Sequence, residues 1–338
     1  MKVLIATAMY PTPENPAFGS FVRTQVEALK QAGVEVELLV LAGQPRKLIY
    51  PKGILQLRQR LADRSIDLVH AHFSYVGMVA RTQWKVPVVV TYHGDDLLGT
   101  VVNEKGEHSR FSEAMVVAGQ WLARTVDASI VQSQEMAAKL APNKRVYIVP
   151  HEVDFETFHP VDKASARNRL GLDPHKKYLL FAANPKTLVK HFSLAQAAAD
   201  RVIQADPGVE LLVVYKETQD RLSLYMNAAD ALVFPSFQEG SPNIVKQAMA
   251  CNLPIVATDV GDVRDVISKT PGCYICPPDA AAFAQRLQQV LERCERTQGR
   301  EQIRHFDRPV VTRRIIEVYE ETLQRRKMRS FSVKQQFS

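Results

Sequence analysis

Short apolar runs alternate with amphipathic stretches along the whole chain. The first run, VLIATA, is typical of a buried parallel strand, and a loop with proline and glycine, YPTPENPAFGS, follows it. The next residues place Val22 and Val26 on one face of a predicted helix. Ser20 is a candidate N-cap of that helix, and Gly33 lies where a left-handed C-cap residue belongs. This order of strand, loop and helix predicts the start of a βαβ unit.

The alternation forms two series of predicted strands with helices between them. The strands of the first series are VLIATA, VEVELLVLA, IDLVHAHF, VPVVVTYHG, ASIVQS and VYIVP, and those of the second are YLLFAAN, VELLVVY, DALVFPS, LPIVATD and CYICP. Between the series, residues 153–177 carry turn residues and charges without a strand, which marks a domain boundary. A last helix is predicted from Arg308 to about Arg326. The pattern therefore predicts two α/β domains with doubly wound parallel sheets, whose ligands bind at the carboxyl ends of the strands.

Composition fits this organisation. The chain has 338 residues, of which 46% are hydrophobic, and this is enough for two separate cores. No segment approaches the roughly 20 apolar residues of a spanning helix, and the start MKVLIATAMYP lacks the layout of a signal peptide. Four cysteines are too few for a disulfide framework in a chain of this size. We therefore expect a cytoplasmic protein.

The net charge of +7 is spread along the chain, so it does not indicate a nucleic-acid-binding arm. The densest basic run is in the tail, at Arg325, Arg326, Lys327 and Arg329. A solvated helix end accounts for this run. Weak attraction to anionic lipid at the inner face of a membrane is a second hypothesis for the same residues.

The stretch from Pro235 to Val263 carries the clearest chemical signal. A loop after the strand ALVFPS opens directly into a helix that is predicted to begin near Asn243, so its backbone N–H groups form a phosphate site. A phosphate would repel the Glu239 carboxylate, which is therefore expected to contact hydroxyls of a ribose or a sugar. Gln247 lies eight residues further on, where it can reach the same ligand. An ordinary strand, loop and helix with a surface glutamate is the alternative.

This stretch resembles the nucleotide-sugar signature of glycosyltransferase family 4, the group 1 glycosyltransferases of the GT-B fold. Glu239 matches the first residue of the family's Glu-x7-Glu motif, Gln247 stands at the second glutamate, and residues 250–258, ACNLPIVAT, follow in register. The resemblance implies two Rossmann-like doubly wound domains that face each other across a cleft. It also implies retaining transfer from a nucleoside-diphosphate sugar to a glycan or lipid-linked acceptor, in bacterial surface-polysaccharide or lipid-linked glycan assembly.

Other segments extend the resemblance over most of the chain. DLVHAHF and TYHGDDL are similar to two segments of the family's first domain, which implies that His93 and Asp95 face the transferred sugar. Gly19 resembles a loop glycine where substrate approaches the backbone. Lys190 matches a lysine that binds the diphosphate, and Lys186 takes the place of a nearby arginine.

The chain departs from the family at that arginine's own position, which is Asn184, and at HEVD, residues 151–154, where the family has an Asn-Gly turn.

These features give a set of expectations. Residues 1–155 form an acceptor-binding domain, residues 156–310 a nucleotide-sugar-binding domain, and residues 311–338 a helix and basic tail that pack back toward the first domain. The expected catalytic residues are His93, Lys190 and Glu239. The expected donor-binding residues are Gly19, Asp95, Lys186, Lys190, Glu239, Gly240, Ser241, Pro242, Asn243 and Gln247. No metal and no cofactor is expected.

Several alternatives stay open at this point. His70, His72, His93 and Asp95 could form a metal cluster, because alternate residues of a strand share one face. A dehydrogenase is disfavoured because no G-x-G-x-x-G follows VLIATA, and a serine hydrolase because no G-x-S-x-G occurs. A sugar-nucleotide epimerase of GT-B-like fold, or a sugar-nucleotide-binding protein with impaired catalysis, would share the phosphate site.

Overall fold

The computed structural model describes residues 1–15, 18–43, 48–62, 65–143 and 145–336, with the side chains of residues 329–336 outside that description. The chain divides into two compact units. The first contains Met1–Gly99, Arg110–Pro150 and the chain from Pro309 onward, and the second contains Thr100–Ser109 and His151–Arg308. None of the described helices has the length and hydropathy of a membrane-spanning segment.

The first unit is built on a parallel sheet of six strands in the order β2-β1-β3-β4-β5-β6. These strands are β1 (Lys2–Thr7), β2 (Glu35–Val40), β3 (Leu68–His72), β4 (Val88–Thr91), β5 (Ala128–Val131) and β6 (Val146–Ile148). Its helices are α1 (Ser20–Gln31), α2 (Ile49–Arg60), α3 (Ser74–Ala80), α4 (Gly94–Leu98), α5 (Arg110–Thr125) and α6 (Gln134–Lys139). Alternate residues of β1 enter different apolar clusters, Leu4 in one and Val3 in the other, because helices cover both faces of the sheet.

The second unit repeats the design with five parallel strands in the order β11-β10-β9-β7-β8. These are β7 (Lys177–Phe181), β8 (Val209–Val213), β9 (Ala231–Phe234), β10 (Ile255–Ala257) and β11 (Tyr274–Ile275). The helices are α7 (Lys163–Leu170), α8 (Phe192–Ala205), α9 (Gln219–Ala228), α10 (Asn243–Ala250), α11 (Val263–Ile267), α12 (Ala280–Arg293) and α13 (Gly299–Gln302). Every strand segment predicted from the sequence overlaps one of these strands, so the predicted fold class of two Rossmann-like α/β domains is confirmed.

The start of α1 differs from the prediction. The N-cap is Gly19 rather than Ser20, which is already the first helical residue. Gly19 has a φ of +70°, and a Cβ atom there would lie 2.4 Å from the carbonyl oxygen of Met9. Only glycine fits this turn, because a side chain would clash with the backbone that leaves β1.

The last helix, α14 (Arg308–Gln336), runs further than the predicted end near Arg326. Val311, Ile315 and Tyr319 belong to the same apolar cluster as Val3 of the first sheet. The buried Tyr319 hydroxyl lies 2.6 Å from Nδ1 of His70. The C-terminal helix therefore completes the core of the first unit.

Candidate functional site

Lys190 and Glu239 form an ion pair in the second unit. Lys190 ends a 3-10 turn after β7, and the N–H of Phe237 donates to the carbonyl of Val189 in that turn at 2.9 Å. The His191 ring stacks on Phe237 with centroids 3.8 Å apart. These contacts bring Nζ of Lys190 within 2.6 Å of Oε1 of Glu239, with the two side chains 27% and 15% exposed. A partly buried cation and anion thus lie together at the carboxyl ends of β7 and β9.

The loop from Glu239 to Pro242 leads directly into α10. Pro242 is the N-cap residue and supplies no side-chain hydrogen bond to the first N–H groups of the helix. Gly261, with a φ of +58°, supports this loop, because a Cβ atom there would lie 2.6 Å from the carbonyl oxygens of both Glu239 and Gly240. The loop and the start of the helix place backbone N–H groups at the positive end of the helix, and this arrangement binds anions.

Buried polar atoms without partners surround the same loop. In the described part of the chain, Oγ of Ser236, Oδ1 of Asn243 and Oδ1 of Asp262 are buried and accept or donate no hydrogen bond. Buried polar groups are nearly always satisfied in folded proteins, so a cluster of unsatisfied ones requires an explanation. A polar ligand at the start of α10 would supply these partners.

A buried lysine supports the loop from below. The side chain of Lys246, in α10, is 0% exposed, and its ammonium lies 3.5 Å from Oδ2 of Asp262. It also donates to Oγ of Ser241 and, at 3.3 Å, to the carbonyl of His151. The Ser241 hydroxyl in turn donates to Oδ2 of Asp262 at 2.5 Å. This group fixes Ser241, which lies between Glu239 and the helix start.

Burial dominates the titration of the lysine group. It lowers the pKa of Lys246, although Asp262 and Glu152 act in the opposite direction. It also raises the pKa of Asp262, against the influence of Lys246. The pKa of Glu152, next to His151, is raised by burial as well, while Arg308 and Lys246 lower it. The His151-Glu152 departure from the family pattern thus lies beside the buried lysine.

The other predicted donor residues of this unit lie around the loop. Gln247 is half-buried and donates to Oε1 of Gln219 at 3.0 Å. Asn184 accepts from the N–H of Lys186 at 3.0 Å, which closes a turn, and the side chain of Lys186 is exposed. His108, from the excursion Thr100–Ser109, lies 2.9 Å from the side-chain oxygen of Gln238.

In the first unit, His93 is held by a buried carboxylate. It is the N-cap residue of α4, and it forms a capping box with Asp96 in which each side chain accepts from the other's backbone N–H. Asp96 accepts from the N–H of His93 at 2.9 Å, and its other oxygen accepts from the N–H and hydroxyl of Ser74 at 2.9 and 2.6 Å. Burial raises the pKa of Asp96 to about 6, while the hydrogen bonds from Ser74 and His93 lower it.

Two further histidines lie behind His93 in β3. Nδ1 of His72 is 3.3 Å from Nε2 of His93, and Nε2 of His72 is buried without a partner among the described residues. His70 contacts Tyr319 and, at 2.7 Å, the hydroxyl of Thr91. Burial lowers the pKa of His72 to about 3 and lowers that of His70 well below its usual value. Both imidazoles are therefore neutral at physiological pH.

The remaining predicted residue of this unit, apart from Gly19 at the start of α1, is Asp95. Asp95 is exposed in the first turn of α4, whereas the neighbouring Asp96 is buried and orients His93. Rings of Phe21 and Phe73 lie 4.9 and 4.2 Å from the His93 ring. Within the described residues, no three His, Cys, Asp or Glu side chains are grouped to hold a metal ion.

Sequence reasoning missed three residues of these sites. A capping-box reading of H-x-x-D at positions 93–96 would have selected Asp96 as well as Asp95. Lys246 follows the apolar residues Ile244 and Val245 of α10, and a lysine at a helix position that faces the core is a signal for a buried partner. That partner, Asp262, has no signal of its own in the sequence.

Two family models match the chain. Residues 16–157 match the model described as Glycosyltransferase Family 4, and residues 176–293 match the model described as Glycosyl transferases group 1. The second segment spans all the predicted strands of the second series, and the first spans those of the first series apart from VLIATA. The predicted resemblance is therefore confirmed.

Individual proteins agree with the models. A D-inositol 3-phosphate glycosyltransferase from Pseudarthrobacter chlorophenolicus is 28% identical, with 80% of this chain and 81% of the relative aligned. The putative teichuronic acid biosynthesis glycosyltransferase TuaC from Bacillus subtilis is 24% identical, over 85% of this chain and 88% of TuaC.

Solved structures show the same fold. The sucrose-phosphate synthase of Thermosynechococcus elongatus superposes with a TM-score of 0.78 at 20% identity, over 95% of this chain and 99% of that one. HepE from Anabaena, solved in complex with UDP-glucose, gives a TM-score of 0.67 at 16% identity, over 95% of this chain and 100% of HepE.

Proposed function

The chain belongs to the group 1 glycosyltransferases of family 4, with the GT-B fold, and from that premise we propose its reaction. It transfers a sugar from a nucleoside-diphosphate sugar to a glycan or lipid-linked acceptor and retains the anomeric configuration. The first unit binds the acceptor and the second binds the donor. Most of the first unit lies within residues 1–155 and most of the second within 156–310, while Thr100–Ser109 and residues 151–155 belong to the second unit.

The observation that carries this proposal is the Lys190–Glu239 pair beside the open start of α10. Transfer leaves a nucleoside diphosphate with additional negative charge, and fixed positive groups stabilise that charge in the transition state. Lys190 and the N–H groups of the loop Gly240–Asn243 supply such groups, and the exposed Lys186 adds a second cation. The unsatisfied atoms of Ser236 and Asn243 are suited to polar groups of the donor.

Glu239 has a second task in this proposal. Its carboxylate is paired with Lys190 when no donor is present. When the lysine binds the diphosphate instead, the carboxylate accepts hydrogen bonds from hydroxyl groups of the transferred sugar. Gln247 binds the ribose. Ser241 and Pro242 give the loop its shape.

In the first unit, His93 contacts the transferred sugar through a ring that Asp96 orients and that Phe21 and Phe73 flank. Gly19 allows substrate to approach the backbone, and the exposed Asp95 binds hydroxyls of the sugar. A neutral His72 behind His93 keeps this end of the site free of positive charge.

The names of two relatives suggest a setting. One is named a putative teichuronic acid biosynthesis glycosyltransferase and the other a D-inositol 3-phosphate glycosyltransferase. We propose that this enzyme assembles a surface polysaccharide or lipid-linked glycan in the cytoplasm, at the inner face of the membrane. The transfer needs neither a metal nor a cofactor.

A panel of nucleoside diphosphates in a thermal-shift assay tests the donor class. A ligand at 100 times its Kd that binds only the folded state adds about 2.7 kcal/mol of stability. The matching labelled sugar nucleotide is then incubated with candidate acceptors, with and without chelator, and the product is analysed by NMR. Transfer with the donor's anomeric configuration, unaffected by chelator, is expected. An inverted product, activity that manganese must restore, or isomerisation of the donor without acceptor would overturn the corresponding part of the proposal.

A further inference from the structure

Both tryptophans of the chain are exposed. The sequence contains 2 Trp residues, and their exposed fractions are 68% for Trp84 and 63% for Trp121. Trp84 lies in the loop between α3 and β4, and Trp121 lies near the end of α5, so both belong to the first unit. Tryptophan is normally well buried, so the exposure of both residues requires an explanation.

Trp121 continues an apolar face of α5. Phe111 and Val117 of this helix are 71% and 63% exposed. At 3.6 residues per turn, these two residues and Trp121 lie within about 120° of one another around the helix. The opposite side of α5 is the one that packs, since Gly119 and Ala123 are buried. The helix therefore has a second apolar face that nothing in the described chain covers.

Cations border Trp84. The guanidinium of Arg81 lies 3.5 Å above the Trp84 ring, and its charge is compensated by Asp127 at 3.2 Å. Arg326 of α14 donates to the carbonyls of Trp84 and Lys85 at 2.5 and 2.8 Å. These contacts attach the end of the C-terminal helix to the tryptophan loop.

The end of α5 carries further positive charge. Asp127, the partner of Arg81, comes two residues after this helix ends, so Trp84 and the end of α5 lie at the same edge of the sheet. Arg145 donates to the carbonyl of Arg124 there at 3.3 Å. Lys85, Arg124, Arg145 and Arg326 have no carboxylate within ion-pair distance among the described residues.

We propose that this part of the first unit binds an anionic lipid bilayer. The tryptophan surface consists of Trp84, Lys85, Val117, Trp121, Arg124 and Arg326. Tryptophan prefers the boundary between lipid headgroups and acyl chains, where its ring is buried and its N–H stays hydrated. Unpaired lysine and arginine beside it are attracted to anionic headgroups. A protein partner would be expected to offer carboxylates to the three cations of this surface, whereas an anionic bilayer offers charge across the whole surface.

This surface differs from the isolated basic tail that the sequence suggests. Arg325 is paired with Glu321 and hydrogen-bonded to Tyr147, and Arg326 is attached to the tryptophan loop. The side chain of Arg329 lies outside the described residues. The tail thus contributes through Arg326, while the apolar anchors come from the loop and from α5.

The two tryptophans are both anchors and reporters, because the chain has no others. The full-length protein is mixed with phosphatidylcholine vesicles, or with vesicles that also contain phosphatidylglycerol. The indole emission is expected to shift to shorter wavelength, and brominated acyl chains to quench it, only with the anionic vesicles. High salt is expected to reverse the effect. Trp84→Phe and Trp121→Phe, each with one tryptophan left, show which ring enters the bilayer.

Binding itself is measured by vesicle sedimentation. The double variant Trp84→Ser/Trp121→Ser is expected to weaken binding at least about tenfold, since each exchange removes a large apolar group from the interface. The double variant Lys85→Gln/Arg124→Gln is expected to weaken binding because two positive charges are lost. Tyr215→Ser and Lys176→Gln, exposed positions of the second unit, are the matched controls. Thermal melting verifies that each variant is folded.

Three results would overturn the proposal. One is unchanged indole emission with anionic vesicles, and another is equal sedimentation of the parent and the double variants. The third is concentration-dependent self-association that the tryptophan variants abolish while vesicles bind none of the proteins, because the surface would then bind a second copy of the chain. This inference rests on the proposed location at the inner face of the membrane. Transfer to a water-soluble acceptor should be unaffected in these variants, so a failure of bilayer binding would contradict that location and leave the proposed transfer reaction untouched.

Discussion

The two candidate sites bury basic side chains in opposite ways. Behind His93, the first unit buries His70 and His72, whose pKa values are lowered by burial, so the cluster carries no positive charge at neutral pH. Beneath the loop before α10, the second unit buries Lys246 against Asp262. The first site therefore buries neutral imidazole rings, whereas the second buries a lysine paired with an aspartate.

The difference follows from intrinsic basicity. An imidazole has an ordinary pKa of about 6.5 and loses its proton in a buried site at little cost, whereas a lysine at about 10.4 keeps its charge unless burial is uncompensated. A neutral site suits the hydroxyl groups of a sugar, and a site with fixed charge suits a diphosphate. We therefore propose that the neutral site contacts the transferred sugar and that the charged group supports the diphosphate site, and the following changes test this difference.

The largest effect is expected at Lys246. Lys246→Met leaves Asp262 buried without its counter-charge, and loss of one partner of a buried pair typically costs about 3–5 kcal/mol of stability. Lys246→Met/Asp262→Asn removes both charges and should recover most of that loss. Denaturant unfolding of the two single variants and the double variant measures the coupling. Additive losses in the double variant would show that the two side chains do not depend on each other.

Next in size is the effect of Lys190 on catalysis. Lys190→Ala removes the cation paired with Glu239 and should slow transfer by a factor on the order of 10² or more, with the fold intact. Steady-state kinetics with the nucleoside-diphosphate sugar measure this. Lys176→Ala is the matched control, because Lys176 forms only an exposed pair with Glu210 at 2.9 Å. Equal rates for both variants would remove Lys190 from the diphosphate site.

The neutral histidines predict a pH effect on stability. The pKa of His72 is about 3 in the folded protein and about 6.5 when unfolded, so the unfolded chain takes up a proton first as pH falls. Acidification from pH 8 to pH 5 should therefore destabilise the parent by about 2 kcal/mol relative to His72→Asn. Asp96, whose pKa is raised in the folded protein, makes acidification between about pH 6 and 4 stabilising. This contribution is the same in the parent and in His72→Asn, so it does not affect their difference. Parallel pH profiles of unfolding free energy would contradict a neutral, buried His72.

The smallest effect is expected at Gln247, at the rim of the charged site. Gln247→Glu supplies a charged acceptor to a ribose hydroxyl and should tighten donor binding up to roughly tenfold. Gln247→Leu removes both hydrogen-bonding groups at similar size and should weaken binding, with the melting temperature of the empty protein nearly unchanged. Gln219→Leu controls for the loss of the Gln247–Gln219 hydrogen bond. Calorimetric titration with a nucleoside diphosphate that gives one affinity for all variants would place Gln247 outside the pocket.

The sequence by itself determined the secondary structure and the family. Parallel strands that are buried on both faces have continuous apolar sequences. VLIATA and ALVFPS therefore identify β1 and β9 without knowledge of the strands beside them in the sheet. The signature around Glu239 was equally visible, because a loop and the helix after it are adjacent in the chain. Local features such as these depend on residues within one or two turns of each other.

Only the tertiary structure decided which polar groups meet. Lys246 and Asp262 are separated by an entire strand, and His70 meets Tyr319 from the far end of the chain. Asp96, which no sequence pattern had selected, orients His93, because its carboxylate accepts from the N–H of His93 and from the hydroxyl of Ser74. Backbone pattern is set by local sterics and hydrophobic period, whereas the partner of a buried charge depends on which segments the completed sheets bring together.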